Sequence, residues 1–216
     1  MIKGLIFDLD GVICYTDKYH YRAWKQIADK LEIPFDEKVN DRLRGVSRME
    51  SLNIILEASR RVFTEEEKLR LAEEKNDAYR ILLQQMTPAD LSDQVKATLE
   101  ALKSKGYQLA IGSSSKNART ILERIGLGSF FHAISDGNNI KNSKPDPEVF
   151  LCAAEMLGLA PSQCIVVEDA PAGLEAAIAG GFCAVGLGEA VTGCAADYHI
   201  GQFGELLSID KVQTFK

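Results

Sequence analysis

Two hydrophobic periodicities divide the chain. From residue 91 onward, apolar residues at helical spacing alternate with short β-rich runs. Val95, Leu99 and Leu102 mark a helix, residues 107–112 read as a buried strand, 117–125 as a helix and 130–134 as a short strand. Residues 148–157 are helical, 164–167 form a strand, 173–179 a helix and 184–187 another strand. This alternation predicts a doubly wound α/β fold built on a parallel sheet. Residues 2–7 supply one more apolar strand, separated from the rest by a segment with no strand signal. Between residues 15 and 86 the periodicity is helical only, as in Trp24, Ile27, Ala28 and Leu31, then Leu52, Ile55 and Leu56, then Leu69, Ala72 and Tyr79. An all-helical insertion after the first strand follows. Its charged run over residues 64–77, with Glu65, Glu66 and Glu67 followed by Lys68 and Arg70, reads as a solvated helix face.

A length of 216 residues fits one large domain or one domain carrying a smaller second one, at about 150 residues per domain. Cys14, Cys152, Cys164, Cys183 and Cys194 include no C-x-x-C pair, so neither a disulfide framework nor a zinc ribbon is expected. They fit reduced thiols. The first apolar stretch, residues 4–7, is too short for a signal peptide, and no apolar run approaches the length of a membrane span. A cytoplasmic, non-membrane protein is expected. The net charge of -6 comes without a basic stripe, which disfavours nucleic acid as a partner. A local phosphate pocket remains compatible with it.

Candidate chemistry gathers at predicted strand ends, where open α/β folds place their ligands. The first strand runs into Asp8-Leu9-Asp10-Gly11, and the strand at 164–167 runs into Glu168-Asp169 before Ala170-Pro171-Ala172-Gly173 opens a helix. An Asx-turn or a cap would explain either pair alone. An EF-hand is excluded because its glycine would stand two positions later. Parallel strands bring both ends to one rim, and carboxylates crowded there repel one another by about 4 kcal/mol per close pair at an effective dielectric near 20. Oxygen donors without nearby His or Cys select a hard divalent cation, so Mg²⁺ is expected. Ser113-Ser114-Ser115-Lys116-Asn117 follows the second strand and enters a helix, as either an N-cap or an anion cradle. Lys144 lies in a loop stiffened by Pro145 and Pro147.

Taken together, Asp8-x-Asp10, Ser113, Lys144 before Pro145, and Glu168-Asp169 resemble the four ordered motifs of the haloacid dehalogenase (HAD) superfamily of phosphotransferases. The resemblance covers nearly the whole chain. Within the superfamily it is similar to the sugar phosphomutases, through Thr16, His20 and Trp24, through Arg44-Gly45-Val46-Ser47-Arg48, and through Ser115-Lys116-Asn117. It implies a HAD-like Rossmannoid core over residues 1–14 and 88–216, and an α-helical cap domain over 15–87 that closes on hinges near 14–16 and 87–91. Physical reading supports a cap with chemistry of its own. Thr16, His20 and Trp24 recur every four residues on one helix face, and Ser47-Arg48-Met49-Glu50 reads as a capping box whose helix N-terminus attracts anions.

By this resemblance Asp8 is the nucleophile and Asp10 the general acid and base, with Thr16 and His20 coupling the protonation of Asp10 to closure. Mg²⁺ is held by Asp8, the Asp10 backbone carbonyl, Glu168 and Asp169. Ser113, Ser114 and Lys144 hold the transferring phosphate, while Arg48 with Ser115, Lys116 and Asn117 grips a second one. The implied reaction converts β-glucose 1-phosphate to glucose 6-phosphate, with β-glucose 1,6-bisphosphate as intermediate and activator, in a monomer. Tyr15 stands where the family usually has Asp, and Arg44 where it usually has Lys, which keeps the charge but changes donor geometry at the sugar. A Mg²⁺-dependent sugar-phosphate phosphatase would use the same core residues, and a non-catalytic sugar-phosphate sensor is a reading from another class. A dehalogenase lacks the second Asp and the metal. Cys14, beside the nucleophile, reads as a buried thiol.

Overall fold

A computed structural model describes residues 1–43 and 46–209. The chain divides into two compact units, one made of Met1–Tyr15 with the chain from Thr87 onward, the other of Thr16–Met86.

The first unit is a six-stranded sheet of β1 (Gly4–Phe7), β2 (Gln108–Gly112), β3 (Ala133–Ser135), β4 (Cys164–Glu168), β5 (Cys183–Leu187) and β6 (Tyr198–Ile200). The order is β3-β2-β1-β4-β5-β6, and all neighbours are parallel. This is a doubly wound arrangement with its switch point between β1 and β4. Strands β1, β4 and β5 are buried along their whole length, which explains their continuous apolar sequences. One face, carrying Ile6, Ala110, Val166 and Ala184, packs on Val149, Phe150, Ala153 and Ala154 of a helix at Glu148–Leu157 and on Leu174 and Ala177 of another at Pro171–Ala179. Side chains alternate along a strand, so Phe7 turns to the other face, where its ring meets Phe131 and Phe203.

Two sequence expectations change here. The strand expected at 130–134 is Ala133–Ser135; Phe130 and Phe131 precede it as an edge-on aromatic pair. The apolar run misled because large aromatics packed in a turn look like strand residues. Strand β6 carries no apolar run, being a three-residue edge with exposed His199.

The second unit contains α1 (Asp17–Lys30), α2 (Glu37–Asp41), α3 (Arg48–Leu56) and α4 (Glu65–Leu83) around a core that includes Trp24, Ile27, Leu52, Ile55, Leu71 and Ala72. Thr64 and Glu67 form a capping box at the start of α4. The run at 64–77 is only partly the solvated face expected. Lys68 pairs with Glu65 at the surface, but Lys75 and Asn76 turn inward, at 3% and 8% exposure.

No helix among the described residues is long and apolar enough to cross a membrane. All five cysteines are free. Leu109, fully buried on β2, tests the sheet. Leu109→Ala is expected to lower the unfolding free energy of this unit by about 2–5 kcal/mol, read from the denaturant midpoint.

Candidate active site

The end of β1 and the end of β4 lie side by side because Phe7 is in register with Val167. The Asp8 N–H donates to the Val167 carbonyl (3.0 Å), so the chain turns away only after Asp8 has been delivered to the rim. A tight loop follows. Ile13 and Cys14 N–H both donate to the Leu9 carbonyl, and Gly11 N–H donates to that of Cys14 (2.8 Å). Gly11 has φ +85, and a side chain there would overlap the Asp169 carboxylate. The glycine therefore serves the turn and the approach of an acid together.

Lys144 is the cation of this rim. Its Nζ donates to Asp8 Oδ1 and to Glu168 Oε1 (2.6 Å), and it lies 4.6 Å from the centroid of the Phe150 ring. The other Glu168 oxygen accepts from the Ala170 N–H (2.8 Å). At 5% exposure the ammonium cannot exchange its partners for water. Burial disfavours its charge, but Asp8 and Glu168 outweigh this and hold it protonated above the ordinary lysine range. Burial pushes the Asp8 carboxyl well up, Lys144 opposes that, and Glu168 and Asp169 add to it. Asp169 is pushed up to about 7 by burial first, then by Glu168 and Asp10, with Lys144 opposing. The rim is thus short of positive charge. Burial, with Asp10, Asp8 and Asp90, also pushes the Cys14 thiol far up, so it stays a protonated, inert thiol.

Among the described residues no three acidic, imidazole or thiol groups stand close enough to form a ready-made metal cage. The donor set nevertheless fits a hard cation. It is all oxygen, and its members raise one another's proton affinity, which is the signature of negative charge awaiting a counter-ion.

Ser113 and the loop after β2 form the neighbouring corner. Ser113 N–H donates to the Ser135 carbonyl (3.0 Å), Ser113 Oγ accepts from Ser115 N–H (3.2 Å), and Ser115 Oγ accepts from Asn117 N–H (3.2 Å). Ser114 Oγ is buried with no partner among the described residues, and Lys116 is exposed. Of the two sequence readings, a simple N-cap is not what forms. Asn117 caps the helix Ala118–Arg124 without a side-chain bond, and the hydroxyls brace the loop instead.

In the helical unit, Thr16, His20 and Trp24 all meet side chains of α4. Thr16 Oγ1 accepts from Tyr79 Oη (3.1 Å), and the His20 ring lies 4.1 Å from that of Tyr79. The Lys75 ammonium sits over the Trp24 and Tyr79 rings and donates to His20 Nδ1 (2.9 Å). An ammonium has no acceptor, so His20 must take this bond on a bare Nδ1 and carry its proton on Nε2. Burial, then Lys75 and Arg48, push the His20 pKa well down. Trp24, expected as a substrate contact, is 2% exposed within the core of its unit and walls Lys75. Ser47 Oγ accepts from Glu50 N–H (3.2 Å) at the start of α3. Arg48 donates to Asn76 Oδ1 (2.9 Å) and pairs with Glu73 (3.5 Å). Val46 is half-buried, while Arg44 and Gly45 lie outside the described residues. Sequence reading missed Lys75. The available signal was a cation on the buried stripe of α4 with Leu71, Tyr79 and Leu82.

A family model of haloacid dehalogenase-like hydrolases matches residues 2–181. The chain belongs to that family. It is 42% identical over 207 residues, 95% of this chain and 92% of the relative, to a β-phosphoglucomutase of Bacillus subtilis. A phosphorylated carbohydrates phosphatase of Thermotoga maritima is 33% identical over 184 residues, 84% of this chain and 82% of the relative. The crystal structure of a β-phosphoglucomutase from Clostridium difficile superposes with TM-score 0.91 at 39% identity, covering 99% of this chain and 98% of that one.

Two predictions follow from the two units. Gly11→Ala should cost about 1–3 kcal/mol in backbone strain and displace the Asp169 carboxylate. Turnover should fall more than the thermal midpoint suggests, which kinetics and melting of the same preparation would show. For His20, the folded pKa lies below the unfolded one near 6.5, so the unfolded state binds the extra proton as pH falls. Stability should decline below that value with an added slope of up to about 1.4 kcal/mol per pH unit. Denaturant titrations between pH 7 and pH 5 should show the slope in the native protein, with this component missing in His20→Gln.

Proposed function

We propose that this chain is a Mg²⁺-dependent β-phosphoglucomutase, interconverting β-D-glucose 1-phosphate and D-glucose 6-phosphate through a phosphorylated Asp8 and β-glucose 1,6-bisphosphate. The observation that carries the reading is the buried Asp8 carboxylate, held at the switch point by Lys144 with Asp10, Glu168 and Asp169 around it, in a chain 42% identical to a β-phosphoglucomutase.

Asp8 attacks phosphorus, and the bond from phosphorus to its departing oxygen breaks. Lys144 favours the ionised Asp8 and, with Ser113 and the Ser114 backbone, holds the transferring group. Mg²⁺, when bound through Asp8, the Asp10 carbonyl, Glu168 and Asp169, offsets their charge and polarises the phosphoryl oxygens. Asp10, half-exposed on the loop that Gly11 closes, can exchange protons. It takes the proton of the C6 hydroxyl as the Asp8 phosphoryl passes to β-glucose 1-phosphate. After the bisphosphate turns over, it returns a proton to the C1 oxygen as that phosphoryl passes to Asp8. Ser115, Lys116 and Asn117 hold the phosphate not being transferred. In the helical unit we assign Arg48 to anion binding and give Thr16 and His20 the coupling of closure to protonation, with Lys75 fixing the His20 tautomer. These groups all come from one chain, so a monomer suffices, and the free thiols fit the reducing cytoplasm.

The likeness to the Thermotoga phosphatase favours one second reading, hydrolysis of phosphorylated Asp8 by water. A coupled assay for glucose 6-phosphate from the β and α anomers of glucose 1-phosphate, with Mg²⁺ and a trace of bisphosphate, separates the two. Glucose 6-phosphate should form from the β anomer alone, and chelation of Mg²⁺ should stop it. Asp8→Asn should reduce kcat by about a thousandfold or more. Inorganic phosphate released at the turnover rate without glucose 6-phosphate would establish the phosphatase instead.

A further inference from the structure

We propose that Asp136, Gly137 and Asn138, on the loop after β3, are positioning residues that set the second-phosphate grip at residues 115–117, an inference that rests on the mutase reading. Sequence reading gave this loop no role, because Asp-Gly-Asn-Asn looks like any polar turn. In the structure it is the seat of the Ser113–Asn117 loop.

Three consecutive residues of that loop are engaged from below. Gly137 takes up the space against the Ser114 carbonyl, Gly137 N–H donates to the Ser115 carbonyl (3.2 Å), and Asn138 Nδ2 donates to the Lys116 carbonyl (3.0 Å). A Cβ at Gly137 would overlap the Ser114 oxygen and stand 3.0 Å from both Lys116 N and Lys116 Cγ. The stem of Lys116 therefore lies on a surface that only a glycine keeps open. Asn138 is itself held, since Asp136 Oδ1 accepts from its backbone N–H (2.9 Å) and from its Nδ2 (3.0 Å). Asp136 is 1% exposed. It is fixed by its N–H donating to Asn139 Oδ1 (2.6 Å) and by Arg119 at 3.4 Å from Oδ2. A buried carboxylate thus anchors an amide, and the amide anchors the backbone from which Lys116 projects. Exposed Lys116 has no described partner of its own to aim it, so its direction is inherited from this seat. None of the three residues is bonded to Asp8 or Lys144 among the described contacts, so loosening them should leave phosphorylation of Asp8 in place.

The test compares the native protein with Asn138→Ala and Gly137→Ala in two reactions. One is the mutase reaction as a function of β-glucose 1,6-bisphosphate. The other is phosphorylation by acetyl phosphate, which carries no second phosphate to grip. Losing the Asn138 bond should raise KM for the bisphosphate about three- to tenfold while phosphorylation by acetyl phosphate stays within about twofold. Gly137→Ala should do the same or more. An unchanged KM, or equal losses in both reactions, would overturn the proposal. If Gly137→Ala does not fold, Asn138→Ala decides alone. If the native protein makes no glucose 6-phosphate, the mutase reading fails separately. Calorimetric titration of the bisphosphate into Asp8→Asn, with and without Asn138→Ala, then decides on the grip: weaker binding supports it and equal binding overturns it.

Discussion

The ammonium of Lys144 lets two acids end two adjacent parallel strands. Parallel pairing of β1 with β4 puts Asp8 and Glu168 at the same height of the sheet, and without a cation both would be buried and unneutralised. One ammonium bonded to both, resting on the Phe150 ring, resolves this at a single point. The solution is incomplete by design. Asp169 remains half-protonated near neutrality, so the rim that folds without a metal is also the rim that most favours one. The acidic surplus of the sequence is in part this local concentration, and it supplies the affinity for a divalent cation on which phosphoryl chemistry depends.

The helical unit buries a lysine by different means. Lys75 is as deeply placed as Lys144, yet the contacts described for it are π faces and an imidazole lone pair. An aromatic face attracts a cation more weakly than a carboxylate does, but it adds no negative charge that a bound anion would have to overcome. The consequence falls on His20, which is kept neutral in one tautomer. A neutral imidazole with its proton fixed on Nε2 is a directed donor. The two buried lysines thus do opposite things: Lys144 stabilises ionised partners, and Lys75 suppresses ionisation in its partner.

Much of this was legible in the sequence, and for physical reasons. Strands buried on both faces must be apolar throughout, so β1, β4 and β5 announced themselves, and acids directly after them could only sit at the rim. The rest was hidden where local composition is ambiguous. Phe130 and Phe131 pack as a turn although they read as strand, and β6 is an edge too short and too polar to carry a pattern. Lys75 looked like part of a solvated run because a charged side chain gives no sign of facing inward until its aromatic partners, from another helix, are in place. Trp24 erred the other way, taken for a ligand contact when its ring closes the pocket of Lys75. The Asp136 loop could not be read at all, since its role lies in bonds to a segment some twenty residues earlier.

Relatives called mutase and phosphatase share the Asp8, Asp10, Lys144 and Glu168 arrangement in kind, so that arrangement cannot decide between a sugar hydroxyl and water as the acceptor. Both acceptors meet the same phosphorylated Asp8. What differs is the residence of the acceptor, and for a sugar phosphate that depends on how firmly its far phosphate is held while the near end reacts. A flexible lysine on an exposed loop is a poor grip, because immobilising its long stem costs entropy at each binding event. A lysine whose stem already lies across Gly137, on a backbone tied through Asn138 to buried Asp136, has part of that ordering completed in the folded protein. The choice of reaction in this chain is therefore carried by the rigidity of a peripheral loop, built on residues remote from the nucleophile.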